Sequence, residues 1–494
     1  MWLIWVCVVI AWAVLQYRKY VKKFDFAKDI PTVEGSYPLI GIGYKFLGKN
    51  DLQVFEIIRE LFQSKEKLRK TWLGPLGLTL FTTDVDIVQQ VHASPAWLDK
   101  PFFYEVLNIG YGLFTSQTER WKSQRKALNP SFNIKILEGF IPLFDKHAGN
   151  LVRRLEHIPE GATFNALPYM MQLNMAMILD TSLDYSGDEL DEIDKLADYI
   201  ARFFENGGQR FTNFFHYFDC IHRFSENYRE SKAIRKYSDE QVKKLIQSTI
   251  NHYQFPKANA EPEDKYNVPQ IFVRALFSNK VRKFDEKEIY DNLITISGAA
   301  TDTAASIMSS TCLSLGFYPE WQQKLVEEMR TVFPSEAIEF TLESLKQLEL
   351  TEMFIYEVIR LYPVGPMVSR RSSESSVING IRIPAGVTMV MHIFNLHRRE
   401  DIWGPDALQF NPYRFAKEVP RAFFGFSAGS RSCIGYRYAM MSMKIVLVQL
   451  LRKYRITTQM RPEDIRFKLE SMLRFADGHM IQLQKRSTEV EETV

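Results

Sequence analysis

A cysteine held between two glycines constrains this chain more than any other feature. The stretch Phe426-Ser-Ala-Gly-Ser-Arg-Ser-Cys-Ile-Gly435 fixes an aromatic residue, Gly429, Arg431, Cys433 and Gly435 at close spacing. Glycine adopts backbone conformations that a Cβ forbids, so the main chain can turn at Gly429 and Gly435 and present the Cys433 sulphur to something large and flat. Beyond Gly435, Ala439, Met440, Met443, Val446, Leu447 and Leu450 recur at steps of three and four, the period of an amphipathic helix. That places Cys433 at a helix N-terminus, where the dipole favours a thiolate. A thiolate is a candidate metal ligand, and Arg431 is a candidate partner for a cofactor's carboxylates.

Thiolate ligation of haem iron is an established way to favour O–O cleavage, and Phe426-x-x-Gly429-x-Arg431-x-Cys433-x-Gly435 resembles the cysteine loop of the cytochrome P450 monooxygenases. The resemblance implies that Cys433 is the axial ligand of haem b (iron protoporphyrin IX), with Phe426, Gly429, Arg431 and Gly435 shaping the loop. It also implies a mainly α fold with small peripheral β-sheets, the haem lying between a long central helix and this loop.

The composition, 46% hydrophobic with 13% aromatic and 24% charged residues, describes a globular chain with a substantial core. Lys and Arg number 62 against 59 acidic residues, a net charge of +3 that gives no global case for nucleic-acid binding. Cys7, Cys220, Cys312 and Cys433 show neither metal-finger nor disulfide-framework spacing, which fits a reducing compartment.

Residues 1–17 open with an unbroken apolar run containing three tryptophans, followed by Arg18, Lys19, Lys22 and Lys23. The run reads as an uncleaved membrane anchor, with the rest of the chain on the cytosolic side by the positive-inside rule. Residues 18–45 read as a basic, Pro- and Gly-rich linker, 46–486 as one catalytic domain and 487–494 as a disordered tail. The resemblance adds an endoplasmic reticulum location.

Several helices are legible from periodicity: Leu52 to Leu61, Ile141 to Leu155, Met170 to Leu183, Tyr290 to Leu315, Tyr318 to Phe333 and Leu342 to Leu361. Trp121 and Arg125 stand four apart on another and can donate from one face to a single anion. With Pro130 and Phe132 following, they resemble the family's propionate-binding helix, Gln124 standing where relatives often carry histidine. Arg370, after the Pro363 to Pro366 turn, has the spacing of a further propionate contact. The resemblance also sets Pro366, Met367 and Val368 toward the substrate.

Ala299-Ala-Thr-Asp302-Thr303 lies in the longest apolar helix candidate outside the N-terminal run, and two buried polar side chains there are costly unless hydrogen-bonded. One reading has Thr303 bonding back to a carbonyl a turn earlier. The other, implied by the resemblance, makes Asp302 and Thr303 the catalytic acid and alcohol that relay protons toward dioxygen. Ala299 and Ala300 would border the substrate pocket. Ala300 replaces the family's usual glycine, and Ala299 stands where many family-4 members carry a glutamate that esterifies the haem, so no covalent link is expected.

Glu357 and Arg360, three apart, can pair on one helix face. Followed by Leu361-Tyr-Pro363 and by Phe410-Asn-Pro-Tyr-Arg414-Phe415, they resemble the family's buried network of Glu357, Arg360 and Arg414 behind the cysteine loop. Asn379-Gly380 and Asp477-Gly478 read as hairpin turns, Val387 to Ile393 as a strand, and His397 as hydrogen-bonded scaffold. The aromatic stretch Tyr199 to Tyr228, broken at Gly207-Gly208, reads either as core or as an apolar lid that touches the membrane.

The whole passage looks most like the insect-type family-4 members. It implies insertion of one oxygen atom from O2 into a small lipophilic substrate: a fatty acid, a hormone-like lipid or a xenobiotic. Electrons would come from NADPH through NADPH–cytochrome P450 reductase, with cytochrome b5 as an additional donor, and Lys122, Lys126, Arg437 and Lys444 would supply docking charge. The alternatives are a haem-thiolate isomerase or peroxygenase, and a non-catalytic haem- or lipid-binding protein.

Overall fold

The computed structural model describes residue 5 and residues 24–37, 41–73, 77–107, 109–183, 190–213, 216, 219–254 and 284–486. Apart from Trp5, the expected anchor lies outside them, as does the expected tail. Among the described residues no helix is long and apolar enough to cross a membrane.

The principal helices are α1 (Asp51–Leu61), α2 (Val85–Ala93), α3 (Thr118–Leu128), α4 (Ile141–Leu155), α5 (Ala166–Leu183), α6 (Leu190–Thr212), α7 (Glu226–Gln254), α8 (Glu286–Phe317), α9 (Pro319–Val332), α10 (Leu342–Gln347), α11 (Glu349–Leu361) and α12 (Tyr436–Lys453). The fold is mainly α, with small sheets at its edge. Where one helix was expected over Leu342 to Leu361, Leu348 at φ −79°, ψ 66° separates α10 from α11.

Helix α8 is the spine. A capping box starts it: Asp285 Oδ1 accepts the Glu288 N–H at 2.8 Å, and Glu288 Oε2 accepts the Asp285 N–H at 3.5 Å. Pro319 follows the cap residue Tyr318 at its other end. Most of α8 is buried, packed along α5 and against α9, α11 and α12. Its hydroxyls survive burial because Thr295, Thr303, Ser306, Ser309 and Thr311 each donate to the carbonyl four residues back, at 2.7–2.9 Å.

Strands β1 (Arg69–Trp72), β2 (Leu78–Thr82), β4 (Met367–Arg371) and β7 (Thr388–His392) form a sheet in the order β1-β2-β7-β4. The β2–β7 pair is parallel and its neighbours are antiparallel. Both central strands are buried along their length, as their apolar runs require. Strands β5 (Ser376–Ile378) and β6 (Ile381–Ile383) pair across Asn379 and Gly380, whose φ values of 50° and 76° form the expected tight turn.

The second expected hairpin is not one. Strand β10 (Leu473–Phe475) pairs with β9 (Phe467–Leu469), whereas β11 (Met480–Lys485) pairs with β3 (Phe164–Asn165) and β8 (Tyr454–Thr457). The Asp477-Gly478 turn therefore carries the chain from one sheet to another. Helix α6 likewise runs unbroken through Gly207 and Gly208. There a Cβ on Gly208 would stand 2.5 Å from the Glu470 backbone, so the glycine serves close packing and not a break.

The described part of the Pro/Gly-rich linker is irregular but docked. Phe24, Ala27 and Ile30 join the main apolar core, Val33 joins a second one with Phe55 and Phe81, and Thr32 bridges to Lys70 of β1.

Candidate active site

The cysteine loop is shaped by hydrogen bonds within itself and by one close approach. The N–H groups of Ser427, Ser432 and Cys433 donate to the carbonyls of Phe424, Gly429 and Phe426 at 2.9, 3.1 and 3.0 Å. Gly429 has φ +69°, and a Cβ there would lie 2.0 Å from the His92 carbonyl of α2, so glycine is required twice over. Gly435 differs from expectation. Its φ is −88°, open to any residue, and no protein atom lies within 4 Å of a Cβ built on it, so its effect is to keep space clear. The Phe426 ring meets Tyr436 edge-on at 4.8 Å.

Cys433 lies two residues ahead of Gly435, the N-cap of α12. Its side chain is exposed, yet surrounded closely enough that burial pushes the thiol up; it therefore faces a recess. The N–H groups of Gly435 and Tyr436 and the charge of Arg125 act in the opposite direction and favour the thiolate.

Four cations gather around this loop. Arg125 Nη1 of α3 donates to the Ser432 carbonyl at 3.0 Å. Arg431 donates to the Ser116 carbonyl and lies over the Trp121 ring, 4.6 Å from its centroid. Arg370 is buried on β4 and donates to its neighbour Ser369. Lys100 is buried too, with its ammonium 4.2 Å from the Tyr104 ring centroid and 4.8 Å from that of Phe114. Among the described residues none of the four makes an ion pair. Burial lowers the pKa of every one, Lys100 well below the lysine range and Arg431 to about 9, and Arg370 adds repulsion at both. Burial, with Arg370 and Lys100 nearby, also takes His92 down to about 3.

Buried cations without counter-charge are costly. Here Arg431 in addition keeps Nε and Nη1 buried without hydrogen-bond partners. The arrangement fits a buried dianion such as a pair of propionates. Lys100 carries no sequence signal: it precedes Pro101 in a mostly apolar and aromatic stretch that contains none of the motifs. Gln124 is fully buried and donates to the Tyr111 carbonyl, tying α3 to the 109–117 loop.

Behind the loop stands a charged network. Glu357 and Arg360 are completely buried and form two bonds, at 2.6 and 2.8 Å. Glu357 also accepts the Asn411 N–H at 2.7 Å and faces Arg414 Nε at 3.6 Å. Arg360 continues to the carbonyls of His397, Ala407 and Gln409. His397 is the link to the cysteine loop: Nδ1 donates to the Arg360 carbonyl at 3.2 Å, and Nε2 accepts the Phe424 N–H at 2.9 Å. That geometry requires the neutral ring, and burial together with Arg360 holds its pKa at about 3.

On α8, Thr303 bonds back to the Ala299 carbonyl, and fully buried Asp302 is ion-paired with Arg474 of β10. Ala299 borders an apolar cavity of about 1030 Å3, counting the part open to solvent, whose wall includes Leu179, Phe203, Phe204, Leu293 and Met472. Ala300, Pro366, Met367 and Val368 are not in that wall; Met367 packs against the second core instead. Phe114 separates the cavity from the cation cluster, since its ring lines the one and lies under Lys100 of the other. The loop carrying Phe114 is clamped to α8, where Asp291 Oδ2 and Asn292 Oδ1 accept the N–H groups of Tyr111 and Leu113 at 2.9 and 3.1 Å.

Of the four residues expected to supply docking charge, Lys122, Lys126 and Arg437 are exposed. Lys444 is not. Its ammonium is buried against Glu352 at 2.6 Å and the Leu345 carbonyl at 2.8 Å.

A mainly helical chain with a cysteine just ahead of a helix, and with buried and half-buried cations around it that make no ion pair among the described residues, has the architecture of a haem-thiolate protein. Residues 31–482 match the cytochrome P450 family. Similar proteins include "Probable cytochrome P450 313a4" of Drosophila melanogaster, 27% identical over 91% of this chain and 92% of that one. "Cytochrome P450 4V2" of Mus musculus is 26% identical over 94% and 92%, and the Homo sapiens protein of that name 27% identical over 95% and 92%. The chain belongs to the cytochrome P450 family. It is accordingly a monooxygenase, an oxidoreductase of the haem-thiolate type.

Proposed function

We propose that Cys433 supplies the axial thiolate to haem b, and that Trp121, Arg125, Arg370 and Arg431, joined by Lys100, hold its two propionates. The observation that carries this reading is four cations around one cysteine loop, Lys100 and Arg370 buried and Arg125 and Arg431 half-buried, none of which makes an ion pair among the described residues. When bound, the haem supplies reductive activation of O2, one atom of which enters a C–H bond of the substrate while the other leaves as water. Phe426 and Gly429 keep the loop in shape, and Gly435 keeps room beside it. Glu357, Arg360 and Arg414 hold the loop from behind through His397 and Phe424, a positioning role.

The substrate is a small lipophilic molecule, a fatty acid, hormone-like lipid or xenobiotic. The apolar cavity beside Ala299 supports this, because such a wall recognises shape and hydrophobicity and offers little to a polar ligand. Ala300, Pro366, Met367 and Val368 would meet substrate only at the haem-facing end. Asp302 holds a proton for delivery toward the cavity, and the Thr303 hydroxyl passes it on. Ala299 has no carboxylate, so no covalent haem ester forms.

Electrons come from NADPH through its P450 reductase, with cytochrome b5 as a second donor, docking on exposed Lys122, Lys126 and Arg437. Residues 1–17 anchor the protein in the endoplasmic reticulum membrane with the catalytic domain on the cytosolic side.

The carbon-monoxide difference spectrum of the reduced protein tests the ligand. A thiolate-type band lost in Cys433→Ser supports Cys433; a histidine-type band, or no change on substitution, overturns it. NADPH consumption with purified reductase and a fatty-acid panel tests the electron donor and substrate class. Product that depends on both NADPH and reductase is the expected result.

A further inference from the structure

The catalytic acid expected at Asp302 is not free, and its partner is itself shared. Arg474, buried on β10, donates from Nη2 to Asp302 Oδ1, from Nη1 to Ser306 Oγ and from Nε to Glu470 Oε2, the last at 3.3 Å. One guanidinium thus serves two buried carboxylates. Glu470 has a second cation on its other oxygen: Lys468 Nζ, 2.6 Å from Oε1 and about one-third exposed. A chain of alternating charge, Lys468–Glu470–Arg474–Asp302, therefore runs from the surface to the middle of α8. It ends on Asp302 Oδ2, which is buried without a hydrogen-bond partner among the described residues.

We propose that Arg474 and Glu470 are positioning residues for Asp302: the share of the guanidinium that Asp302 holds governs whether its carboxyl keeps or releases a proton. Arg474 stays a cation throughout, and the proton exchanged is the one carried by the Asp302 carboxyl. Burial raises the Asp302 pKa, Arg474 opposes that rise, and Glu470 adds to it by its own charge. The groups facing this chain from neighbouring elements are Glu205 of α6, which feels Glu470, and His479, which feels Arg474 and is held neutral; Ser306 of α8 completes the set.

The placement connects this chain to the cavity. Glu470 and Arg474 flank the tip of the β9–β10 hairpin, and Met472 at that tip lines the apolar wall. The hairpin backbone in turn touches α6 at Gly208, where a Cβ would stand 2.5 Å from Glu470. A ligand pressing on Met472 bears on the same short loop that divides Arg474 between its carboxylates. The proposal rests on the proton-donor role given to Asp302 above.

The test is two conservative variants with opposite signs. Glu470→Gln gives Arg474 wholly to Asp302, and Lys468→Met leaves Glu470 a stronger competitor for it. The infrared band of the protonated Asp302 carboxyl, identified by its loss in Asp302→Asn, is titrated in the resting ferric protein. Its midpoint is expected to fall by about one pH unit in Glu470→Gln and to rise in Lys468→Met, with the pH profile of turnover moving in parallel by about tenfold at fixed pH per unit. Unchanged midpoints, or shifts of the same sign, overturn the proposal. If Glu470→Gln does not fold, Lys468→Met decides alone: an upward shift supports the assignment and none defeats it. The infrared midpoint needs no turnover. Opposite midpoint shifts with unmoved pH profiles would therefore retire the donor role of Asp302 and leave the charge-sharing intact.

Discussion

Arg125 of α3 donates to the carbonyl of Ser432, the residue before Cys433, at 3.0 Å across 307 positions of sequence. This bond fixes α3 to the cysteine loop, and the guanidinium charge lowers the cysteine pKa. Arg125→Met removes both. A hydrogen bond to a charged group is worth about 1.5–3 kcal/mol. Haem retention in the variant, followed by transfer to apomyoglobin, should weaken by about tenfold or more, while helix content by circular dichroism stays the same.

Lys100→Met separates two effects of opposite sign. Its ammonium is buried and makes no ion pair among the described residues, so the methionine relieves a desolvation penalty in the haem-free chain. The haem-free protein should therefore denature at higher urea than wild type, while the loaded protein loses haem faster. A variant that loses stability in both forms would remove Lys100 from the propionate set.

Gly429→Ala and Gly435→Ala look alike in sequence and are expected to behave differently. At Gly429 the backbone is left-handed and the new methyl would meet the His92 carbonyl at 2.0 Å, which the loop cannot absorb without moving. Gly435 has an ordinary φ and open space around it. Thermal denaturation of the haem-free forms should show a clear loss for Gly429→Ala and a change within about 0.5 kcal/mol for Gly435→Ala.

Glu357→Gln leaves the buried guanidinium of Arg360 and the partly buried one of Arg414 short of their shared carboxylate. Breaking a buried pair by removing one partner costs about 3–5 kcal/mol. Urea denaturation should show a loss of that order, and holo-protein yield should fall even though Glu357 is remote from the cavity wall.

His397 makes stability depend on pH. Its folded pKa of about 3 lies far below the usual 6.5, so the unfolded chain binds the extra proton. Stability is present in full above about 6.5 and is lost as pH falls through the window toward 3, by about 1.4 kcal/mol per unit. Buried His92, His392 and His479 share this sign. The measured slope of unfolding free energy between pH 6 and pH 4 should be smaller in His397→Gln by about one proton.

The cysteine loop, the Trp121–Arg125 spacing, Glu357–Arg360 and the long helix α8 were legible because each is a local pattern. Their meaning depends on spacing within a few residues, and helix periodicity or a glycine at a turn writes that spacing directly into the chain. The Asn379-Gly380 hairpin was legible for the same reason. Asp477-Gly478 carried the same signal and gave a different outcome, because the partner of β11 is chosen by distant strands and not by the turn. Gly207-Gly208 read as a break, but the helix continues and Gly208 admits the β9–β10 backbone.

What only the tertiary structure decided are the relations between distant charges. Lys100 joins Arg370 and Arg431 in one buried cluster, Lys444 turns inward to Glu352, and Asp302 is held by Arg474, 172 residues away. No local pattern predicts them, because a buried charge takes whichever partner the packed chain brings within reach. The sequence by itself determined the class of protein and the cysteine at its centre. The packing determined which of its charges are paired, which make no ion pair among the described residues, and which carboxylate shares the partner of Asp302, since desolvation makes each of those pairings a property of the folded interior alone.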